Sequence, residues 1–138
     1  MIHSTIASII QGRALASIES SEPVHAACLL MCEHNVRAVA VVQDGVLIGV
    51  LSERDVIQKC VCPGRQTESM QASEVMTVDP KTLTTGDSLA AALEIMSEGH
   101  FHHVPILQEG SVVGVLSSDD IPEEYRMLLE RFKEMRGG

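Results

Sequence analysis

The chain has 138 residues and an apolar fraction of 45%, enough for one ordinary globular domain with a buried core. Its formal net charge is −9 and its aromatic content is 2%, which disfavours nucleic-acid binding through basic groups and stacking platforms. Because no apolar run approaches the ~20 residues of a membrane span and the first residues lack the pattern of a signal peptide, we expect a cytoplasmic protein without a membrane partner.

The first half of the chain is predicted to fold as strand, helix, strand, strand and helix. A short strand around residues 16–17 precedes Ser21, which can cap a helix that has Pro23 in its first turn and runs through VHAACLLMCE. The apolar runs RAVAVV and VLIGVL flank QDG, a typical hairpin signal. Ser52 can then cap a short second helix.

A polar stretch containing Pro63 and Gly64 leads into a second unit with the same order of elements. KTL predicts a short strand, and Asp87 can cap a helix through SLAAALEIMSE that Gly99 would end. HHVPIL and SVVGVL flank QEG and predict a second hairpin. The predicted organisation is therefore one unit over 1–62, a linker over 63–74, a second unit over 75–124 and a helix over 125–138.

The last segment, PEEYRMLLERFKEMRGG, departs from this pattern. It predicts a helix with charges around one apolar face, formed by Tyr125, Leu128, Leu129, Phe132 and Met135. This face would either dock on its own domain or form a surface for a partner or a second copy, and the sequence leaves both open.

The chain contains four cysteines, Cys28, Cys32, Cys60 and Cys62. Without a secretory signal, we expect reduced thiols. Their spacing differs from the two-residue spacing of zinc ribbons, and a metal site would need ligands from both pairs or from His25 and His34. We therefore favour thiols that pack in the core.

The two units are copies of one another. Displacing the chain by 65 residues aligns 4–59 with 69–124 without a gap, and 15 of the 56 aligned pairs are identical. Ordinary composition would give about 3 or 4 identities by chance. Each copy of about 60 residues has too little core to be stable alone. We therefore expect the two repeats to pack together about a pseudo-twofold axis.

Both repeats end in the same motif, GVLSERD at 49–55 and GVLSSDD at 114–120. One interpretation is a capping box, in which Ser52 or Ser117 caps a helix and Asp55 or Asp120 bonds back to it. The other keeps the cap and adds a ligand. A carboxylate just after a glycine-containing strand can accept hydrogen bonds from both ribose hydroxyls, and helix-start amides suit phosphate oxygens. The duplication then predicts two equivalent clefts.

The duplication and this motif resemble the cystathionine β-synthase (CBS) domain pair, or Bateman module, over residues 5–124. GVLSERDVI in the first repeat, and the run from VMTVDPKTL to GVLSSDDI in the other repeat, are similar to the small stand-alone members of that family. The resemblance implies an α+β fold of two tandem β-α-β-β-α repeats packed as a pseudo-twofold pair.

The resemblance also implies a regulatory module that senses an adenosine-containing ligand in the clefts between its two repeats, where the ligand contacts both. AMP, ADP, ATP, S-adenosylmethionine and NAD(H) share the ribose that the motif would bind, and AMP is the first expectation. Since family members commonly form flat homodimers, we expect a homodimer and a protein effector. No resident cofactor is required.

Site residues follow from the resemblance alone. The motif Asp binds ribose, the motif Ser lines the site, the start of the second strand reaches phosphate, and the first strand offers its backbone to adenine. In repeat 1 these residues are Ala16, Ser17, Arg37, Ala38, Val39, Ser52 and Asp55, with Arg54 as a further phosphate contact. In repeat 2 they are Lys81, Thr82, His102, His103, Val104, Ser117 and Asp120. Val39 and Val104 would form the apolar wall.

The two sites are expected to be unequal. His102 and His103 stand where relatives often have Arg then His, and neutral imidazoles would make phosphate affinity weak or pH-dependent. The alternative for this pair is a strand-lining or surface role. Pro122 is expected to shift Asp120 or to restart the helix. Repeat 1, which has Arg37 and Arg54, is favoured for a charged nucleotide.

An enzyme is not expected, because the sequence has no phosphate loop, no metal-ligand pair of the usual spacing and no nucleophile with a recognisable base. Two alternatives on the same fold remain. The cysteines and histidines could make a metal- or redox-responsive module, or the pair could be a purely structural dimerisation module.

Overall fold

The first repeat supplies most of one mixed sheet in the computed structural model, which describes residues 5–137 without the side chains at 129, 132, 133, 136 and 137. Its elements are α1 (Ile6–Ile10), β1 (Ser17–Glu19), α2 (Val24–His34), β2 (Ala38–Gln43), β3 (Val46–Ser52), α3 (Glu53–Val56) and a π-helical turn (Ile57–Val61). The sheet also includes β4 (Thr77–Val78), in the order β1-β2-β3-β4, with β1 parallel to β2 and the other pairs antiparallel.

The second repeat has its own three-stranded sheet, β5-β6-β7, and follows the order of the first repeat except for the additional strand β4. Its elements are α4 (Ala72–Val75), β4, β5 (Leu83–Thr84), α5 (Leu89–Gly99), β6 (His103–Gln108), β7 (Ser111–Ser117), a 3₁₀ turn (Ser118–Asp120) and α6 (Glu123–Gly137). The predicted α+β architecture of two packed repeats is confirmed. None of the described helices has the length and apolarity needed to cross a membrane.

Both predicted hairpins are confirmed and have matching geometry. Their two-residue turns, 44–45 and 109–110, have positive φ at both positions, as tight hairpins require. Each hairpin also carries an irregularity at the equivalent place, between Val41 and Val42 and between Ile106 and Leu107. The register places the start of the second strand opposite the motif serine in both repeats.

The two cores are assembled crosswise. Ile6 and Ile10 of α1 are buried in the core of repeat 2, whereas Ala72 and Val75 of α4 are buried in the core of repeat 1. Strand β4 likewise pairs with β3 of the other repeat. Each repeat therefore completes its core only with a segment from its neighbour, which explains why the pair folds as a unit.

The glycine of each motif makes this exchange sterically possible. A Cβ at Gly49 would collide with the side chain of Met76 and lie 2.9 Å from the carbonyl oxygen of Thr77. A Cβ at Gly114 would lie 3.3 Å from the side chain of Ile10. The repeated glycine thus has a packing role, because the exchanged segment crosses the motif strand there.

Two predicted helix caps are wrong. Ser21 does not cap α2; the N-cap is Pro23, which makes no side-chain bond. Asp87 does not cap α5; Ser88 does, accepting an amide hydrogen bond of 3.1 Å. Asp87 instead accepts a 2.7 Å hydrogen bond from the amide of Thr84. Neighbouring polar residues compete for one cap, so spacing alone selects the wrong member.

The predicted end of α5 also differs. Gly99 is the last helical residue, and His100 takes the left-handed cap with φ of 56°. A Cβ at Gly99 would collide with the ring of Phe101, so this glycine makes room for the only aromatic residue before the tail. The strand predicted at KTL is confirmed only in part, as Leu83–Thr84.

The cysteines divide into two groups. Cys60 is fully buried in the core of repeat 1 and Cys28 packs against that core, as predicted, but Cys32 and Cys62 are exposed. Burial and the nearby Cys32 and Cys60 raise the pKa of the Cys28 thiol. Within 5–137, no group of three or more His, Cys, Asp or Glu residues is arranged to hold a metal ion.

The C-terminal helix α6 begins at Glu123, directly after Pro122, so the predicted restart of the helix is confirmed. Tyr125 packs against the core of repeat 2, which agrees with docking of the helix on its own domain. Leu128 and Met135 are instead 61% and 82% exposed. Leu129 and Phe132, the other members of the predicted apolar face, have side chains outside the description.

Candidate functional site

Two cavities lie between the repeats, each bordered by one motif. Cavity A, which contains Asp120, has a volume of about 460 Å³, and cavity B, which contains Asp55, has about 700 Å³. Both volumes fall within the range of about 300–1,000 Å³ typical of small-molecule sites.

Each cavity combines one motif with strand starts of the other repeat. Asp120 of repeat 2 shares cavity A with Ala16 and Ala38 of repeat 1. Asp55 of repeat 1 shares cavity B with Lys81 and His102 of repeat 2. The clefts expected between the two repeats are thus present as cavities, and each one joins the motif of one repeat to strand starts of the other. The cause is tertiary: β2 and β3 both pack against β7, so each motif ends beside the neighbouring repeat.

Three predicted residues border both cavities, namely Arg37, His103 and Ser117. Ser52 and Arg54 border cavity B, as expected for residues of the first motif. The motif carboxylates and the starts of the second strands are thus brought together, but across the pseudo-twofold junction.

Four predicted residues do not line either cavity. Val39 and Val104 are 0% exposed inside the two cores, so neither can serve as a cavity wall. Ser17 and Thr82 also lie outside both linings, whereas their neighbours Ala16 and Lys81 lie inside.

Asp55 is almost fully bonded within the protein. Its Oδ2 accepts hydrogen bonds from the Ser52 amide (3.0 Å) and the Ser52 hydroxyl (3.1 Å). Its Oδ1 accepts from the Thr77 hydroxyl (3.2 Å) and lies 3.0 Å from Lys59 Nζ. A carboxylate offers about four acceptor positions, so a ribose hydroxyl would have to displace Thr77 or Lys59.

Asp120 is bonded less completely. Its Oδ2 accepts a 2.8 Å hydrogen bond from the Ser117 amide, and its Oδ1 forms a 3.0 Å ion pair with Arg13 NH2. The Ser117 hydroxyl accepts a hydrogen bond of 3.2 Å from the Asp119 amide. Two acceptor positions of Asp120 therefore remain for ligand hydroxyls.

The capping-box interpretation is confirmed for both motifs. Ser52 and Asp55 bond each other's backbone amides, and Ser117 and Asp120 form the corresponding box at the 3₁₀ turn. The ligand interpretation is compatible with these bonds, because Asp55 and Asp120, the carboxylates of the two capping boxes, also border a cavity.

The cations are distributed unevenly between the cavities. In cavity A, Arg13 is paired with Asp120, and Arg37 lies 3.6 Å from Asp119.

Three cations border cavity B without an ion pair among the described residues: Arg54, Lys81 and Arg126. Asp79 is the carboxylate of cavity B that lacks an ion-pair partner in the same part of the chain. Cavity B therefore has the stronger attraction for an anion.

His103 lies between the cavities at the start of β6. Burial, followed by the adjacent His102, lowers its pKa, although Asp120, Glu53 and Asp119 act in the opposite direction. Its buried Nε2 has no hydrogen-bond partner among the described residues. At neutral pH this ring is uncharged, consistent with the expected weak contribution to phosphate binding.

The sequence did not predict several residues that line the cavities or that pair with the motif carboxylates. Lys59 could have been found, because it stands four residues after Asp55 on a helix. Arg13, Asp79 and Arg126 reach the cavities from segments next to or beyond the repeat elements, and only tertiary packing brings them there.

A family model of the CBS domain matches the chain twice, at residues 9–61 and 72–125. The protein YhcV of Bacillus subtilis, a CBS domain-containing protein, is 30% identical over 107 residues that cover 78% of this chain and 76% of that protein. The mitochondrial CBS domain-containing protein CBSX3 of Arabidopsis thaliana is 29% identical over 129 residues. That match covers 86% of this chain but only 63% of the Arabidopsis protein.

A solved structure shows the same fold. It is a CBS domain protein from Pyrobaculum aerophilum complexed with AMP, with a TM-score of 0.78 and 23% identity. The match covers 90% of this chain and 95% of the archaeal chain. At this identity, the likeness concerns the arrangement of the elements.

Proposed function

Since this chain belongs to the CBS domain family, we propose that it is a regulatory module that binds an adenosine nucleotide between its repeats and catalyses no reaction. AMP is the expected ligand. The observation that carries the proposal is the crosswise site: each cavity brings a capping-box carboxylate together with strand starts from the other repeat.

The crosswise arrangement supports a regulatory role. A ligand that contacts both repeats favours the relative orientation in which both sets of contacts form. The ligand shifts the equilibrium between two relative orientations of the repeats only as far as its affinities for the two orientations differ. The signal would then pass through the geometry of a homodimer or through a protein effector.

Cavity B suits the phosphorylated ligand. Arg54 and Lys81 approach from different repeats and carry no ion pair among the described residues, so both can bind phosphate oxygens. Asp55 would bind ribose once Thr77 or Lys59 gives way, and this exchange of partners would link occupancy to movement of the β4 segment.

Cavity A suits a ligand recognised chiefly through its ribose. Asp120 keeps two acceptor positions, but its neighbouring cation Arg13 is already paired with it. The main-chain groups beside Ala16 and Ala38 would meet the base against aliphatic walls. We propose that this cavity discriminates weakly between adenosine and its phosphates.

The AMP complex of the archaeal relative gives AMP as the first compound to test. The test is a thermal-shift panel with AMP, ADP, ATP, S-adenosylmethionine and NAD at about 1 mM, with matched salt. A ligand with a dissociation constant near 10 μM should add about 2.7 kcal/mol to the free energy of unfolding. A selective rise in Tm supports the proposal, whereas no rise for any compound contradicts it and favours a structural dimerisation module.

A further inference from the structure

We infer that Arg126 binds a ligand phosphate in cavity B and thereby couples occupancy to the docking of α6. The inference rests on the proposed function, which it extends by adding a contact and an output element. Arg126 lies one residue beyond the segment matched by the CBS family model and beyond the internal repeat, which ends at residue 124. It therefore has no counterpart in repeat 1.

Its place on α6 brings Arg126 to the cavity. The amide of Tyr125 donates a 3.0 Å hydrogen bond to the carbonyl oxygen of Pro122, and its ring packs against the core of repeat 2. These contacts hold the first turn of α6 beside the cavity. Arg126 follows at once and lines cavity B, with its side chain exposed and without an ion pair in the described part of the chain.

Beyond this first turn, three described apolar side chains of α6 are exposed. Met127, Leu128 and Met135 are 48%, 61% and 82% exposed. A helix segment whose apolar side chains are exposed opens locally more readily than a buried one. A guanidinium-phosphate bond at Arg126 would add a second attachment to the first turn, so a bound ligand would oppose the opening of α6.

The chemistry of the contact selects phosphorylated ligands. A guanidinium can donate two parallel hydrogen bonds to a phosphate, whereas adenosine offers it no anionic oxygen. Lys81 lines the same cavity from the loop before β5 of repeat 2, so the phosphate would lie between Lys81 and Arg126 of α6.

The binding test compares AMP with adenosine, using titration calorimetry on the full chain. Arg126→Ala should weaken AMP binding about tenfold and leave adenosine binding within about twofold, since one charge-assisted hydrogen bond is lost. Arg126→Lys should restore part of the affinity. Arg131→Ala is the matched control, because it removes a charge from the same helix at a residue that does not line the cavity.

The coupling test measures amide hydrogen exchange in α6 with and without AMP. Exchange should slow on AMP binding in the wild type and in Arg131→Ala, but not in Arg126→Ala. Unchanged AMP affinity in Arg126→Ala, or an equal loss for adenosine, overturns the inference while leaving the proposed function intact. Failure of the wild type to bind AMP overturns the inference, and failure to bind any compound of the thermal-shift panel overturns the proposed function as well.

Discussion

Cavity A and cavity B are bordered by duplicated motifs, yet they differ in how their charges are satisfied. In cavity A the carboxylate of Asp120 and the guanidinium of Arg13 neutralise one another across 3.0 Å. In cavity B the carboxylate of Asp55 is occupied by Lys59, four residues further along the chain, which does not line the cavity. Of the cations that do line it, Arg37 is paired with acidic neighbours, whereas Arg54, Lys81 and Arg126 have no ion pair among the described residues and are available for an anion.

Comparing the two cavities shows which features the two copies of the motif have kept in common. Both copies keep the capping box and the glycine over which the other repeat crosses, because the fold requires them. The residues that bond to the two carboxylates are not the same in the two repeats, because the fold does not require them. Thr77, which donates to Asp55, aligns with Gly12, which has no side chain to donate to Asp120. The scaffold therefore stays symmetric while the charges around it diverge.

The largest expected effect is the loss of stability in Asp55→Ala. The residue is 8% exposed, and its removal leaves the Ser52 amide, the Thr77 hydroxyl and Lys59 without their acceptor. We expect a loss of about 3 kcal/mol in the free energy of unfolding, against about 1 kcal/mol for Asp120→Ala. Urea denaturation of both variants measures the difference, and equal losses would contradict the contrast between the two carboxylates.

The next effect concerns the crossing points of the two repeats. Gly49→Ala should lower the free energy of unfolding by about 2 kcal/mol, because the carbonyl oxygen of Thr77, 2.9 Å from the new Cβ, belongs to the backbone and cannot swing away. Gly114→Ala should cost under about 1 kcal/mol, since the side chain of Ile10 can yield. Thermal unfolding of the two variants checks this order, and a larger loss for Gly114→Ala would reverse the proposed difference.

A smaller effect separates the anion affinities of the cavities. The double variant Arg54→Ala/Lys81→Ala should weaken AMP binding by about 1.5 kcal/mol, a value at the low end for bonds to charged groups because the residues are exposed. Arg13→Ala should not weaken AMP binding, because its guanidinium is already paired with Asp120. Titration calorimetry measures both, and a greater loss in Arg13→Ala would assign the phosphate to cavity A.

The sequence predicts the local features of this site well. Hairpin turns, the capping boxes at Ser52 and Ser117 and the duplication itself depend on short spacings or on direct alignment, and the structure confirms them. The strand Ala38–Gln43 shows the limit. Its first four residues are all buried, so no alternation marks the face that meets the cavity, and the prediction for Val39 is wrong.

The crosswise assembly could not be predicted from spacing. Ile6 and Ile10 form a short apolar stripe that would fit either core, and their place in repeat 2 depends on packing between residues about 75 or more positions apart. The same exchange carries Arg13 toward Asp120. Most of the predicted site residues therefore line the two cavities, and tertiary packing decides which cavity each one borders.

The smallest expected effect is a pH dependence centred on His103, which borders both cavities. Burial lowers the pKa of His103 in the folded protein below that in the unfolded chain, so protons bind preferentially to the unfolded state. Its contribution to stability should be complete above about pH 6.5 and should decline as the pH falls toward the folded pKa. Comparing the free energy of unfolding at pH 7.5 and 5.5 for the wild type and His103→Gln isolates this contribution, with the exposed His25→Gln as the control.

A bound phosphate would reverse the direction in which pH acts on His103. If AMP lies close to His103, its charge favours the imidazolium, so the ratio of AMP affinity in the wild type to that in His103→Gln should rise as the pH falls. The ratio is the informative quantity, because the phosphate of AMP itself takes up a proton at about pH 6 and changes both affinities. The two effects of protonating His103 are opposite, because the proton destabilises the empty protein and favours the complex. A ratio that does not change between pH 7.5 and 5.5 would place the phosphate away from His103, beside cations of cavity B such as Arg54 and Lys81.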